Sequence, residues 1–231
     1  MQRKIQPELL DVLPPDDPRA MRSRRDLRRV NAWMRNSAIA ANALASSANG
    51  NQPRSILDLG AGDGSFLLRV AQRLAPTWSE INARLLDRQD VISPETLSGF
   101  QSLHWTARAT VAEVSDWLEH RQADSEEAVI ANLFLHHFSE PQISLMFREL
   151  ARTARLFVAV EPHRGNWPLF CTHLLWLIGC NTVTEHDAAV SVRAGFAGHE
   201  LSVLWPQSDE WILEERRAGL FSHLFVARRK S

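Results

Sequence analysis

The chain has 231 residues, 45% of them hydrophobic and 23% charged, with a formal net charge of −1. This is one ordinary domain with room for an extension, in the composition of a water-soluble globular protein with a real core. A neutral balance gives no global reason to expect nucleic acid or an anionic membrane as partner.

Residues 1–52 read as an N-terminal helical extension. Pro14, Pro15 and Pro18 bracket a turn, after which Met21, Leu27, Val30, Trp33 and Met34 recur at helical spacing among seven arginines between Arg19 and Arg35. Most of these arginines fall off the apolar stripe, as on a solvated helix face. Asn49, Gly50, Asn51 and Pro53 end the helical pattern. Residues 53–231 then alternate strand and helix. Ser55 to Leu59 is a short apolar strand, followed by a glycine turn and an amphipathic helix carrying Phe66, Leu67, Val70, Ala71 and Leu74. Ala83 to Asp87 is a second strand, Pro94 to Gln101 a helix, Trp105 to Val111 a third strand, and Val114 to His120 a further helical turn. Ala128 to Asn132 is a fourth strand, Pro141 to Arg152 an amphipathic helix, and Leu156 to Glu161 a fifth strand, apolar enough to be covered on both faces.

Beyond Pro162 the pattern changes. A helical insertion is expected over about 163–190, with an apolar helix from Trp167 to Gly179, a polar stretch from Asn181 to Asp187 and a helix from Val190 to Trp205. Trp211 to Arg216 and Leu220 to Arg228 form a hairpin about Ala218-Gly219. The alternation predicts an α/β, doubly wound, Rossmann-like sheet of seven strands, mostly parallel, closed by an antiparallel C-terminal hairpin and carrying added helices. The apolar run Trp167 to Gly179 is interrupted by His173 and falls short of the about 20 residues a membrane span needs. Cys171 and Cys180 sit in this run, and Met1-Gln2-Arg3-Lys4 leads into polar sequence, which points to buried thiols in a reducing cytoplasm.

The most informative segment is Asp58-Leu59-Gly60-Ala61-Gly62-Asp63-Gly64. Alternating glycines let the chain turn sharply and bring backbone against a ligand. A nicotinamide-dinucleotide loop wants glycine where Ser65 stands, and a P-loop needs a lysine that is absent. Asp58 and Asp63 would repel a pyrophosphate but suit a sulfonium cation bearing an amino group.

From about Ser55 to Arg229 the chain resembles the class I S-adenosylmethionine-dependent methyltransferases, most specifically at Leu57 to Gly64. The resemblance implies S-adenosyl-L-methionine as cofactor and S-adenosyl-L-homocysteine as product. It places cofactor contacts at Asp58, Gly60, Ala61, Gly62, Asp87, Arg88, Glu113, Val114, Asn132 and Leu133, with Asp87 on the ribose hydroxyls and Glu113 near the adenine amino group. This sequence departs from the family pattern at Glu113, where Asp is commoner, and in lacking Asp before the fourth strand's apolar run.

Methyl transfer needs alignment more than covalent help. An oxygen acceptor must also lose a proton, and histidine suits that task near neutral pH. His136, His137 and His163 follow strand ends and are the candidate bases; His186, beside Asp187, is a weaker one. No metal site is expected, since the cysteines and scattered histidines do not match zinc spacing. The expected acceptor is small and apolar, of phenolic, quinone or polyketide-like type, with O-methylation first, roofed by Trp33, Trp167, Phe170, Leu174, Leu175, Trp176 and Leu177. The alternatives are a C-methyltransferase of quinone-type metabolism and an RNA or protein methyltransferase. No nucleic-acid partner is expected, and the chain is expected to be a monomer or homodimer.

Overall fold

The computed structural model describes residues 1–14, 16–48, 50–119 and 127–230. Pro15, Asn49 and His120, which figured in the expected turns and the sixth helix, lie outside the described residues. Helices α1 (Leu9–Val12), α2 (Pro18–Met34) and α3 (Asn36–Ser47) come first. Asp17 caps α2 by accepting from the Arg19 N–H at 2.8 Å, and Arg35, at φ 57°, separates α2 from α3.

The core then runs β1 (Ser55–Leu59), α4 (Ser65–Leu74), β2 (Asn82–Asp87), α5 (Pro94–Gln101), β3 (Thr106–Val111), α6 (Val114–Glu119), β4 (Ala128–Asn132), α7 (Glu140–Thr153) and β5 (Leu156–Pro162). Helices α8 (Asn166–Thr172), α9 (Thr182–Ala194) and α10 (Glu200–Leu204) follow, then β6 (Trp211–Ala218) and β7 (Ser222–Arg229). The seven strands form one sheet in the order β3-β2-β1-β4-β5-β7-β6. The first five pair in parallel, and β7 slots antiparallel between β5 and β6.

Period-two alternation splits the strand residues between two cores. Ile56, Ile130, Val158 and Val160 face α3, α4 and α5, with Leu44, Leu67, Val70 and Phe100. Leu57, Leu59, Val129, Phe157 and Phe225 face the other way, onto Phe147, Leu150, Leu201 and Trp205. Every residue of β5 is buried, as a parallel strand covered on both faces requires. The sheet order reverses between β1 and β4, the place where open parallel sheets bind ligands, beyond the carboxyl ends of the strands.

Two expected helices differ. The run Trp167 to Gly179 is not one helix: α8 ends at Thr172, and a separate 3-10 turn covers Leu175–Ile178. The helix expected from Val190 to Trp205 is broken between α9 and α10. There the Phe196 N–H donates to Pro162 O at 3.0 Å, and a Cβ on Gly195 would lie 2.2 Å from that same oxygen. Backbone pairing of Phe196 with His163 therefore wins over helical continuation. Cys180 is buried as expected, whereas Cys171 is only half-buried.

Candidate functional site

At the end of β1 the chain leaves the sheet through Gly60, Gly62 and Gly64, at φ 68°, 55° and 73°. The first two glycines serve different needs. A Cβ on Gly60 would lie 2.2 Å from Phe134 Cδ2, so glycine there lets the turn after β1 close against the turn after β4. At Gly62 nothing stands within 4 Å of a Cβ position, so its backbone faces open space that a side chain would fill. The end of β2 shapes this loop. Leu86 O accepts from the N–H groups of Gly60 and Ala61 at 2.9 and 3.0 Å, and Asp87 Oδ2 accepts from Gly62 N–H at 2.8 Å. Asp87 Oδ1 accepts from Gln89 N–H at 2.9 Å. Each carboxylate oxygen keeps a second lone pair for a ligand hydroxyl.

Asp58 is buried on β1, and its Oδ2 has no hydrogen-bond partner among the described residues. Burial, reinforced by the charge of Asp87, pushes its carboxyl well above the usual range. Asp63 is placed differently from the sequence expectation, because it is already engaged within the protein. Burial raises it, but bonds from Ser65 and Arg28 outweigh this and hold it below its ordinary value. The Arg28 contact, 3.2 Å to Asp63 Oδ2, ties α2 to the glycine loop.

The other expected cofactor residues line the same strand ends. Arg88 is exposed just past β2. Glu113 is exposed, and its carbonyl accepts from Trp117 N–H at 2.9 Å, starting α6. The Val114 side chain packs into the core with Leu59 and Leu86. Asn132 ends β4 half-buried, and its Oδ1 accepts from Asn36 Nδ2 at 2.9 Å. Asn36 in turn accepts from Ser222 Oγ at 2.6 Å, so α3 and β7 fix the Asn132 side chain. Leu133 sits at φ 52°, a strained conformation for a bulky residue, held by its N–H donating to Val160 O at 3.0 Å.

After Leu133 the chain makes a 3-10 turn, Leu135–His137, organised by a residue that sequence reading passed over. Glu161, fully buried at the end of β5, accepts from the N–H groups of Phe134 and Leu135 at 3.0 and 2.8 Å. Its other oxygen lies 2.8 Å from His136 Nδ1. A lone acid ending an otherwise apolar strand was the available signal for it. Glu8, next to α1, brings Oε1 to 3.5 Å from His136 Nε2. Nothing in the sequence near Glu8 announces this, because 128 residues separate the two; the link is made by Asp187, which accepts from Leu9 and Leu10 N–H at 2.7 and 3.0 Å and docks α1 on α9.

The candidate bases separate clearly. Burial alone would lower the pKa of His136, but the bond to Glu161 and the nearby carboxylates of Glu161 and Glu8 outweigh it and raise the value to about 9. The two carboxylates beside the buried ring favour its protonated form, which argues against His136 as the proton acceptor. His137 is exposed, its ring 4.2 Å from that of His136. His163 follows β5, stacked 6.0 Å from His223. Burial, then the neighbouring His223, Arg217 and Arg164, lower its pKa, which favours the neutral ring. Its Nδ1 is buried without a hydrogen-bond partner among the described residues. His186 is 3.0 Å from Asp187 Oδ1 but points away to solvent with half its side chain exposed.

The residues expected to roof an acceptor are largely uncovered. Trp33 is 75% exposed, and Trp167, Phe170, Trp176 and Leu177 are each more than half exposed. Among the described residues no helix is long and apolar enough to cross a membrane.

No protein-family model and no curated protein sequence matches the chain. Solved structures do match. The plantazolicin methyltransferase BpumL, solved with SAH, aligns with a TM-score of 0.63 at 13% identity over 93% of this chain and 92% of its own. The mitomycin 7-O-methyltransferase MmcR aligns with a TM-score of 0.62 at 15% identity, over 96% of this chain and 60% of its own. An O-methyltransferase family protein from Burkholderia thailandensis aligns with a TM-score of 0.60 at 14% identity, over 94% and 63%. The chain spans less than two thirds of the latter two proteins. The fold is therefore that of the class I S-adenosylmethionine-dependent methyltransferases.

Proposed function

We propose that the chain is an S-adenosylmethionine-dependent methyltransferase acting on a small, largely apolar acceptor, with oxygen as the first acceptor atom. The observations that carry the cofactor assignment are the open space over Gly62, whose N–H is held by Asp87, and Asp58 Oδ2 on β1, unpartnered among the described residues. The residues fit the group. Asp87 has a lone pair on each oxygen for two ribose hydroxyls, and a carboxylate makes charge-assisted bonds to both. Asp58, whose carboxyl burial pushes well above its ordinary range, is the buried acid whose charged form a ligand ammonium would favour and satisfy. Arg88, Glu113, Val114, Asn132 and Leu133 are the residues that would border the bound cofactor, with Gly60 and Ala61 completing the loop. When bound, the cofactor supplies an electrophilic methyl group on a sulfonium.

The chain's own part is to align, desolvate and move one proton. Asn36 and Ser222 hold Asn132, and Glu161 holds the turn after it, so both strand ends are preorganised. His163 is the favoured base for an acceptor hydroxyl, because its surroundings keep the imidazole neutral. His137, exposed at the neighbouring strand end, is the second candidate. The uncovered apolar side chains of α8 and the 3-10 turn support an apolar acceptor, since exposed aromatic clusters mark ligand or partner contacts. The neighbours named for plantazolicin and mitomycin methylation support the same class.

The test is a labelled-methyl assay against phenolic, quinone-like and polyketide-like acceptors, with tRNA and protein as controls. Label entering tRNA or protein instead of small molecules contradicts the acceptor class. With the acceptor in hand, His163→Gln is expected to lower kcat by about 10²–10⁴-fold. Trp176→Ala is expected to raise KM while leaving cofactor affinity unchanged.

A further inference from the structure

The sequence offers no metal motif, yet folding brings Glu8, His136 and His137 together with one donor atom from each inside 4.8 Å of the others. We propose that these three side chains form a mononuclear site for a divalent transition-metal ion of the zinc class. The inference stands apart from the methyltransferase reading and does not need it.

Geometry supports it first. A tetrahedral zinc with bonds of about 2.0–2.2 Å holds its donors about 3.3–3.6 Å apart. His136 Nε2 and Glu8 Oε1 are 3.5 Å apart. That contact has no hydrogen-bond alignment, and Nε2 is a buried polar atom with no hydrogen-bond partner among the described residues. Such an atom in a folded protein calls for a ligand. His137, on the exposed side of the turn, brings a ring nitrogen within 4.8 Å of both other donors.

The supporting groups are those a metal site uses. Metal-bound imidazoles usually give their other nitrogen to a carboxylate, which fixes ring and tautomer. Glu161 Oε2 lies 2.8 Å from His136 Nδ1, and Glu161 is itself fixed by two backbone N–H groups. Glu8 accepts from Ser191 Oγ, which orients its carboxylate. Arg3, the nearest strong cation, is turned onto the carbonyls of Phe138 and His136 at 2.8 and 3.3 Å. Two imidazoles and one carboxylate select zinc, cobalt, nickel or iron(II), and disfavour magnesium and calcium, which want oxygen donors throughout. Three protein ligands leave a fourth position open.

The experiment uses tag-free full-length protein stripped with a chelator. Zinc is titrated in competition with a chromophoric chelator, and cobalt(II) binding is followed by visible absorption. One equivalent of zinc, and intense d–d bands of four-coordinate cobalt, are expected. Glu8→Gln and His137→Gln should each weaken zinc by more than the about 10–100-fold typical of losing a supporting partner, and Glu161→Gln by about that amount. His137→Gln changes an exposed side chain, and an unchanged thermal transition of its metal-free form verifies that the fold is intact. Absence of a one-equivalent step, weak octahedral cobalt bands, or unchanged affinity in either ligand variant overturns the site.

Discussion

Gly60 and Gly62 stand two residues apart in one loop and should respond oppositely to the same added methyl group. At Gly60 an alanine must adopt φ 68° and place Cβ 2.2 Å from Phe134 Cδ2. The left-handed backbone costs about 1–2 kcal/mol. Overpacking adds about 1–3 kcal/mol. Phe134 cannot simply yield, because its ring packs edge-on against Phe138 at 4.9 Å and its N–H is bonded to Glu161. Gly60→Ala should therefore lose about 2–5 kcal/mol of folding stability. At Gly62 an alanine meets nothing within 4 Å, so only the backbone cost of about 1–2 kcal/mol applies. Its damage should fall on ligand binding, since the added methyl enters the cradle. Urea unfolding of both variants measures the first quantity, and calorimetric titration with S-adenosylhomocysteine the second. Equal destabilisation by the two substitutions, or Gly62→Ala with undiminished affinity, would refute the division of labour.

Asp87→Ala should weaken cofactor binding by about 2–3 kcal/mol, the scale of hydrogen bonds to a charged group, as read by calorimetry. Asp58 has a raised folded-state pKa, so its contribution to stability is present below the unfolded carboxylate value and lost as pH rises through the folded value. A cation that binds its ionised form should therefore bind more tightly as pH rises toward that value, with proton release; Asp58→Asn should flatten the pH dependence, and a flat profile in the unsubstituted protein contradicts the role. Glu161→Gln should destabilise the chain by about 3–5 kcal/mol, since it leaves the buried His136 charge without its main partner; a thermal transition that does not move would show that Glu161 is dispensable.

The strand and helix alternation was legible because each strand carries its period in its own residues, from Ile56 and Leu57 on opposite faces to the wholly apolar β5. The glycine loop was legible because its spacing is local. What local sequence could not carry was tertiary competition. Nothing in Val190 to Trp205 announces that Pro162 O captures the Phe196 N–H and breaks the helix. The same holds for the site. Asp87 was legible as the last residue of a strand, whereas the Glu8–His136–Glu161 arrangement joins three distant segments through Asp187 and the end of β5. His136 looked like a base in a His-His-Phe run, and the two carboxylates that favour its protonated form come from distant segments.

The central claim is the adenosyl cofactor, and calorimetric titration of the purified chain tests it most directly. The account predicts one equivalent of S-adenosylhomocysteine bound to the unsubstituted protein, lost in Gly62→Val, with no heat from a nicotinamide dinucleotide. No heat with S-adenosylmethionine or S-adenosylhomocysteine, alongside clear binding of the dinucleotide, would contradict it.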